Sequence, residues 1–588
     1  MILKQYPSKE EFNQLALQYN VIPVCAEILA DTETPVSILQ KFCQPCKEIA
    51  SDKTGQSSFD KALKDKQNAD NAIFLLESVE GGEHWARYSF MGISAKSHVK
   101  VFKDHILVDE KHQIRKSDGQ SLNNYGVAKK SNSKKIPHHG DPLNVLKDIT
   151  SMYNPADIKD LPRFWSGLTG YMTYEMVSFF EDVPSMLPDD RPYAHFIIPD
   201  AMIIFDNMNH TLTCMSICYI QNRQSLGDGS HTRLDAERGG SAQKDIQKYY
   251  EQSCIHLQEI IDKINTPITN KINRAVWIKP ETESFLLTPL TERDTYISGV
   301  KKIKEHIVAG DIIQAVYSQP FTSDAPVDPL MLYRAQRYIN PSPYMFFMDF
   351  GEIAIAGSSP ETMVRLENRT ATLRPIAGTR PRGKNEQEDR TLADELLNDE
   401  KERAEHLMLV DLGRNDLGRV AEVGTVQVTD LMFVERYSHV MHLVSNINCE
   451  VKQEFGAWDL LRATFPAGTL SGAPKIRAME IIADMEKRPR GIYGGAAGYI
   501  SFSGNMDLAI TIRTATVDRG VGSKNETCGS QKYGKMTVQA GAGIVADSDP
   551  EKEYQECVNK ARSVERALKL ALVNSRTDVE QGAGGEKC

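Results

Sequence analysis

The sequence predicts an α+β fold, and three observations lead to this prediction. The chain has 588 residues, of which 41% are hydrophobic, so it can bury a large core. Alternating or β-branched runs, typical of strands, occur at 353–357, 508–517 and 536–545. These runs mix with helical segments without the regular alternation of a parallel α/β sheet. The run at 536–545 follows the run at 508–517 through an inserted loop, which favours an antiparallel pair.

Helical periodicity predicts three helices in the C-terminal half of the chain. The first spans 294–309 and ends at Gly310. The second runs from about 386 to 410. The third begins with Asp549 as its N-cap and Pro550 at its first position, and its apolar residues form one stripe that can face the core.

Composition divides the chain into an N-terminal region, 1–270, and a denser C-terminal domain, 290–575. The last residues, 576–588, are predicted to form a flexible tail. Three segments rich in Gly, Ser, Asn and charge are predicted to be surface insertions of unassigned role, at 129–140, 221–244 and 518–535.

The charge and hydropathy of the chain exclude two classes of protein. A formal net charge of −10 disfavours nucleic-acid binding, which usually requires a basic surface. No segment approaches the roughly 18 apolar residues of a membrane span. The N-terminus has neither the apolar core of a signal peptide nor the composition of a transit peptide. We therefore expect a soluble, cytoplasmic protein.

Four carboxylates in two matching pairs are the strongest chemical signal. Glu402 and Glu405 are three residues apart on one predicted helix, and Glu553 and Glu556 repeat this spacing on another. Such spacing places each pair on one helix face. Clustered carboxylates without a histidine pair suit a hard cation such as Mg²⁺. Spacing alone leaves open the alternative that both pairs lie on solvated helix surfaces.

A backbone-rich segment is the second signal. Gly541, Ala542 and Gly543 nearly lack side chains at a strand position, which often marks close approach by a ligand and can offer N–H groups to an anion. Arg513 is predicted on the strand that pairs with this segment, and arginine suits carboxylate recognition. The alternative is a structural bulge without a ligand.

Two other features carry less information by themselves. The segment 466–475 (PAGTLSGAPK) has a spacing that does not meet the phosphate-loop pattern, which disfavours nucleotide hydrolysis. An isolated histidine such as His442 is more often structural than catalytic.

The motifs together resemble the chorismate-utilising enzyme family over about 291–572. The matching segments occur in the family's order; among them are SSPE, PIAGTRPRG, DEKERAEHLMLVDLGRND, YSHVMHL, FPAGTLSGAPK, GIYGGAAGY, ITIRTA, QAGAGIV and SDPEKEYQE. The resemblance implies large antiparallel β-sheets packed face to face, with helices outside.

Within this family, the sequence resembles the branch that converts chorismate to anthranilate. Ala377 occupies the position where the aminodeoxychorismate-forming branch typically carries a nucleophilic lysine, and Gln314 occupies the position of a water-activating lysine in the isochorismate and salicylate branches. The resemblance therefore implies that external ammonia attacks the ring. The aminodeoxychorismate-forming branch remains the alternative.

The resemblance also implies a role for each candidate residue. Magnesium would be held by Glu405 and Glu556, supported by Glu402 and Glu553. Glu361 would act as general acid and His442 would assist the second step. The implied substrate-binding and orienting residues are Arg513, Tyr493, Thr379, Thr469, Gln314, Ala377 and the backbone of 541–543.

Two further expectations follow from the same resemblance. The chain has no Gly-x-Cys-x-Gly-His nucleophile segment, so a separate glutamine amidotransferase subunit would supply ammonia in a hetero-oligomer. LLES at 75–78, RYSFMG at 87–92 and NPSPYMFF at 340–347 resemble elements that bind tryptophan as a feedback inhibitor. The implied tryptophan-binding residues are Glu77, Ser78, Arg87, Pro343, Tyr344, Met345 and Phe346.

Overall fold

The computed structural model describes residues 1–43, 72–78, 87–111, 131–220, 235–268, 286–437, 440–519 and 534–580. The α-helices in these ranges are α1 (Lys9–Leu15), α2 (Pro35–Cys43), α3 (Pro142–Ser151), α4 (Asp235–Ile264), α5 (Arg293–Val308), α6 (Pro329–Ile339), α7 (Glu386–Asn398), α8 (Glu400–Gly418), α9 (Ala457–Thr464), α10 (Lys475–Glu486) and α11 (Pro550–Glu580). Short 3₁₀ helices occur at Tyr174–Phe179 and Gly468–Leu470.

The strands of the first half of the chain are β1 (Ile2–Tyr6), β2 (Val21–Leu29), β3 (Ile73–Glu77), β4 (Tyr88–Val101), β5 (His105–Lys111), β6 (Ser131–Pro137), β7 (Gly167–Met172), β8 (Ala194–Asp206) and β9 (Thr211–Tyr219). Those of the second half are β10 (Thr288–Pro289), β11 (Gln314–Ser323), β12 (Tyr344–Asp349), β13 (Ile353–Ser359), β14 (Thr362–Glu367), β15 (Thr370–Leu373), β16 (Ile376–Pro381), β17 (Gln427–Arg436), β18 (Val440–Glu450), β19 (Gly472–Ala473), β20 (Ala496–Ser501), β21 (Met506–Ile510), β22 (Thr514–Asp518) and β23 (Lys535–Ile544).

The strands form one continuous hydrogen-bonded network in which the pairs between these strands are antiparallel. One apolar cluster is built from strands and their connections, with Phe74, Phe90, Tyr171 and Phe346 among its members, as expected where sheet faces pack on each other. A second cluster lies between strands and several helices, including α1, α5, α6 and α11. The α+β prediction with antiparallel sheets and outer helices is confirmed.

Strands from the two ends of the chain pair with each other. β3 pairs with β12, and β7 pairs with β20 from Gly167↔Ser501 to Met172↔Ala496. Hydrogen bonds therefore cross the boundary that composition suggested between 270 and 290. The division into 1–270 and 290–575 stays a prediction about sequence organisation.

The prediction of one continuous helix from 386 to 410 is wrong, because the helix is interrupted at Asp399. This residue has extended backbone angles (φ −73°, ψ 109°), and its carboxylate accepts hydrogen bonds from the N–H groups of Lys401 and Glu402. Asp399 therefore ends α7 and begins α8 as its N-cap. The predicted start of α11 is confirmed, since the Asp549 carboxylate accepts from the N–H groups of Glu551 and Lys552.

The predicted insertions are partly ordered, which corrects two of them. In 129–140, residues Ser131–Pro137 form β6 and pair with β5, as a lysine-bearing polar strand can do at a sheet edge. In 221–244, helix α4 begins at Asp235, and 221–234 lie outside the described residues. Most of 518–535 also lies outside them. In the predicted tail, α11 continues to Glu580, and 581–588 are not described.

Candidate active site

Two interruptions in neighbouring strands define the centre of the site. Glu361 lies between β13 and β14, and Arg513 lies between β21 and β22. Because β13 pairs with β22 and β14 pairs with β21, the two interruptions face each other. The N–H of Ile510 donates to the Glu361 carbonyl at 3.0 Å. Arg513 therefore does not lie on the strand predicted for 508–517; it has a left-handed backbone (φ 50°) at the break.

The Glu361 carboxyl has the environment of an acid that is still partly protonated at neutral pH. Its side chain is buried, and burial raises its pKa to about 7. Thr469, Arg513 and Lys560 oppose this rise. The buried Thr469 hydroxyl lies beside the carboxyl without completing a regular hydrogen bond, so it is available to another polar group.

Arg513 presents a buried cation beside Glu361. Burial lowers the pKa of its guanidinium, and the charges of Glu361 and Tyr437 act against this change. Among the described residues, the guanidinium has no hydrogen bond or ion pair to a carboxylate. A buried arginine without an ion-pair partner is suited to bind an anionic ligand group.

His442 and Thr379 lie opposite each other on β18 and β16. A bulge at Gly378 in β16 turns its carbonyl toward His442 Nδ1, at 2.9 Å, and the Thr379 hydroxyl lies 3.1 Å from the same nitrogen. A carbonyl can only accept, so Nδ1 carries the proton and Nε2 presents a lone pair. Burial lowers the pKa of His442, which favours this neutral form.

The two carboxylate helices meet at this site. Burial raises the pKa of Glu405; Lys401 opposes the rise, and the charges of neighbouring carboxylates add to it: Glu402, Asp547 and Glu553. Two of the four predicted metal ligands, Glu402 and Glu556, lie next to cationic side chains. Glu402 lies 3.3 Å from Arg380, and Glu556 lies 2.8 Å from Lys560. Within the described ranges, no three acidic, His or Cys side chains are arranged to hold a metal ion together.

Sequence reasoning missed Lys560. Its ammonium group donates to the Gly541 carbonyl at 2.9 Å and forms the ion pair with Glu556, while its charge also acts on Glu361. Lys560 thus joins α11, the glycine segment and the acid. The signal that was available is its i, i+4 spacing from Glu556 on the same helix face.

The glycine segment lies against β11 and not against the strand of Arg513. Gly541 is opposite Ser318, and Gly543 is opposite Val316. On its other edge, β23 pairs with β22 only as far as Val538, so the backbone edge of 541–543 remains open there. A Cβ at Gly543 would lie 2.6 Å from Gln314 Nε2, so a side chain there would displace Gln314.

The remaining predicted substrate residues line the same region. Tyr493 lies between Gly491 and Gly494, half-buried and in electrostatic contact with Cys557 next to Glu556. Ala377 precedes the bulge at Gly378, and a Cβ added to Gly378 would lie 3.2 Å from the Glu402 carboxylate. The buried Gln314 Oε1 makes no hydrogen bond among the described residues. The structure therefore places the predicted catalytic and substrate residues in one region, whereas the four predicted metal ligands do not form a metal-binding cluster among the described residues.

The predicted tryptophan elements form a separate group on β3 and β12. Met345 lies opposite Glu77, and Pro343, Tyr344 and Ser78 lie at the same end of this strand pair. Glu77 is buried and already accepts from Arg337 Nε at 2.6 Å and from the Tyr333 hydroxyl. Met345 and Phe346 are core residues. Arg87, just before β4, is paired with Asp206 at 2.9 Å.

Comparison with known proteins agrees with this geometry. The family model of the chorismate binding enzymes matches residues 100–566, which include the whole site. The fold is also shared with the menaquinone-specific isochorismate synthase from Escherichia coli, at 17% identity and a TM-score of 0.56. The chain therefore belongs to the family of chorismate-binding enzymes.

Relatives over nearly the whole chain narrow this assignment. The chain is 40% identical to anthranilate synthase component 1 of Aquifex aeolicus, over 96% of this chain and 98% of that protein. It is 39% identical to the Pseudomonas aeruginosa component 1, over 96% and 99%. Anthranilate synthase component I from Streptococcus pneumoniae matches with 30% identity and a TM-score of 0.60, over 92% and 99%. The chain falls in the component 1 branch of the family.

Proposed function

We propose that this protein converts chorismate and ammonia to anthranilate and pyruvate, as a lyase of tryptophan biosynthesis (EC 4.1.3.27). The observation that carries the proposal is the buried Glu361 carboxyl, with a pKa of about 7, facing the guanidinium of Arg513. Chorismate offers a hydroxyl leaving group for the acid and a carboxylate for the arginine. Ala377 and Gln314 provide no amine nucleophile, so ammonia must come from outside the chain.

The first step replaces the ring hydroxyl by an amino group. Arg513, the open edge of 541–543 and Tyr493 hold the pyruvyl carboxylate, while Thr469 orients the substrate beside Glu361. Glu361 donates its proton to the departing hydroxyl, which leaves as water. Ammonia adds to the ring carbon next to the one that bears the carboxylate, and the two ring double bonds shift as the C–O bond of the hydroxyl breaks. The proton that the added ammonia sheds returns to the Glu361 carboxylate, directly or through solvent, and restores the acid for the next turnover.

The second step forms the aromatic ring. The enolpyruvyl group leaves as pyruvate, and the ring loses a proton. His442 would accept that proton at Nε2, a role supported by the Gly378 carbonyl, which fixes the other ring nitrogen as the donor. Thr379 restrains the imidazole on the same side.

Magnesium fits the donor set of this site. The charge of Glu553 on α11 contributes to the raised pKa of Glu405 on α8, and both side chains are half-buried, so a divalent cation would relieve their repulsion. Glu405 and Glu556 would hold the ion, with Glu402 and Glu553 in support. When bound, magnesium would neutralise the ring carboxylate and draw electron density from the ring.

The product formed from chorismate distinguishes this proposal from its alternative. We expect anthranilate fluorescence when the purified chain is given chorismate, Mg²⁺ and ammonium. With glutamine in place of ammonium, we expect none until a glutamine amidotransferase subunit is added. We propose that the two subunits form a hetero-oligomer in the cytoplasm. Arg513→Gln should lower kcat/KM at least about 100-fold, because a bound carboxylate loses its partner. Arg519→Gln, which removes an ion pair with Asp349 elsewhere, is the matched control. A chorismate-derived amine without anthranilate would favour the aminodeoxychorismate-forming activity.

We further propose that tryptophan inhibits the enzyme by binding beside the end of the β3–β12 strand pair that carries Glu77 and Met345. The supporting observation is that Glu77 and Tyr344 to Phe346 lie on adjoining strands, with Ser78 and Pro343 next to the strand ends. Tyr344 also donates to Asp507 at 2.8 Å and lies 3.1 Å from the hydroxyl of Thr362, the neighbour of Glu361. A ligand that favours one arrangement of these strands can therefore act on the acid.

Calorimetric titration tests tryptophan binding directly. We expect binding to the wild-type chain, and loss of both binding and inhibition in Met345→Ala or Glu77→Gln. Met348→Ala, a core change on the same strand, should leave binding unchanged. Wild-type protein that binds no tryptophan would refute this part of the proposal without affecting the assigned reaction.

A further inference from the structure

Thr469, the segment 541–543 and Tyr493 together form one wall of the proposed substrate site. Behind this wall lies a buried ion pair that no step of the proposed reaction uses. Glu486 is the last residue of α10, and Arg490 follows four residues later, before Gly491. Arg490 Nη2 and Nε donate to the two carboxylate oxygens of Glu486 at 2.7 and 2.8 Å. Only 2% of the Arg490 side chain and 6% of the Glu486 side chain are exposed.

The guanidinium also bonds to two backbone carbonyls from separate parts of the wall. Nη1 donates to the Leu470 carbonyl at 2.6 Å, and Nη2 donates to the Val316 carbonyl at 2.7 Å. Leu470 directly follows Thr469, and Val316 is the register partner of Gly543. Arg490 thus connects the Thr469 turn to the strand that supports the glycine segment.

Glu486 extends the same connection along β11. Its Oε1 accepts from both the N–H and the hydroxyl of Ser318, each at 2.8 Å, and Ser318 is opposite Gly541. The Ser318 hydroxyl in turn accepts from Gln539 Nε2 at 2.8 Å. The ion pair therefore holds β11 behind both ends of the glycine segment.

Tyr493, the third part of this wall, is connected to Arg490 through aromatic contacts. The Arg490 guanidinium lies 4.5 Å from the centre of the Tyr174 ring and 5.7 Å from that of Tyr493. The N–H of Arg490 donates to the buried Glu175 carboxylate at 2.6 Å, which sets the direction of the following chain toward Tyr493. One side chain is thus tied to the Thr469 turn, to the strand that supports the glycine segment and to Tyr493.

We infer that Arg490 and Glu486 are positioning residues that hold the Thr469 turn, the 541–543 strand and Tyr493 at fixed separations for the substrate. This inference rests on the proposed function, because it takes those three groups to be the substrate wall. A buried ion pair contributes little net stability, since desolvation of both charges offsets their attraction. Its three hydrogen bonds to β11 and its one to the Leu470 carbonyl are therefore explained by geometry better than by stability.

The test removes the pair without leaving a lone buried charge. In Arg490→Met/Glu486→Gln, the glutamine oxygen can still accept from Ser318, but the links to Leu470, Val316 and Tyr493 are lost. We expect kcat/KM for chorismate to fall about 100-fold, with KM raised and kcat lowered, because misplacement by about 1 Å costs that much. The melting temperature should change no more than in the control.

The matched control is Lys41→Met/Glu33→Gln, which removes another buried ion pair whose cation bonds to a backbone carbonyl, that of Ile264. It should keep kcat and KM within about twofold. A second readout compares Thr469→Ala in the wild-type chain with Thr469→Ala in the Arg490→Met/Glu486→Gln variant. If Arg490 acts through the Thr469 turn, the loss in the combined variant is smaller than the product of the separate losses.

The possible outcomes separate the two proposals. A wild-type chain that forms no anthranilate refutes the proposed function. An active wild type with unchanged kcat and KM in the double variant, or with multiplicative losses in the Thr469 comparison, refutes only the positioning role. If the double variant does not fold, Glu486→Gln alone decides the matter: we expect a loss of about tenfold in kcat/KM, and a value equal to wild type would overturn the inference.

Discussion

At the scale of single residues, burial determines the chemistry of the site. Glu361 is buried, and Arg513 is largely surrounded by protein atoms beside it, so water screens their charges little. Burial pushes their pKa values in opposite directions, toward a neutral acid and a less favoured cation. The same acid on a surface would be ionised at neutral pH and unable to donate a proton.

The raised pKa of Glu361 predicts a pH dependence with a definite sign. A general acid acts in its protonated form, so kcat/KM should be full well below pH 7 and fall as pH rises through about 7. The free ammonia concentration must be held constant, because its fraction rises with pH. Glu361→Gln should lose about 10²- to 10⁴-fold in kcat and show no such decline. Glu352→Gln, on the exposed turn before β13, is the control; a decline that persists in Glu361→Gln would contradict the assignment.

At the scale of elements, the break at Asp399 positions the carboxylates of α8. Asp399 caps the helix that carries Glu402 and Glu405, and it forms an ion pair with Arg380 at 2.7 Å. Arg380 also lies 3.3 Å from Glu402. A continuous helix from 386 would place these carboxylates in another direction. The cap therefore serves the site as well as the helix.

Loss of this cap should affect magnesium more than stability. Asp399→Ala is expected to cost about 1 kcal/mol of unfolding free energy and to raise the Mg²⁺ concentration for half-maximal activity severalfold. Asn385→Ala removes the corresponding cap of α7, where the Asn385 side chain accepts from the N–H of Glu388. It should cost a similar free energy in a denaturant titration without changing the Mg²⁺ dependence. Equal Mg²⁺ curves for both variants would refute the proposed link.

At the scale of the whole molecule, the two halves of the chain share their strands. Gly170 of β7 is opposite Gly498 of β20, and a Cβ at Gly170 would lie 2.0 Å from the His195 carbonyl. Arg163 donates to the Tyr499 hydroxyl at 2.8 Å and to Asp507 at 2.9 Å. The strands of the C-terminal half that flank the candidate site therefore depend on the N-terminal half for neighbours.

This pairing predicts that the C-terminal region does not fold by itself. A fragment of residues 290–575 would expose the edges of β12 and β20 and the apolar faces that β3 and β7 cover. We expect no cooperative urea transition for the fragment, in contrast to the full chain, and recovery when residues 1–289 are co-expressed with it. A fragment that unfolds cooperatively and binds chorismate would show that 290–575 is an independent domain.

Local patterns in the sequence by themselves determined the elements whose signals are short-range. Helix periodicity and capping residues predicted α5 and the start of α11, and alternation predicted β13 and the antiparallel β22–β23 pair. Family motifs then assembled the candidate site residues. These signals depend on neighbours within a few positions, so they survive without knowledge of the fold.

Only the tertiary structure decided features that depend on distant contacts. The left-handed break at Arg513, the partner strand of 541–543 and the exchange of strands between the two halves follow from pairings between residues far apart in sequence. Lys560 and the Arg490–Glu486 pair have clear roles only once β11, β23 and α11 are in place. Register and burial are properties of the assembled sheet, and local composition does not specify which distant strand supplies the neighbour.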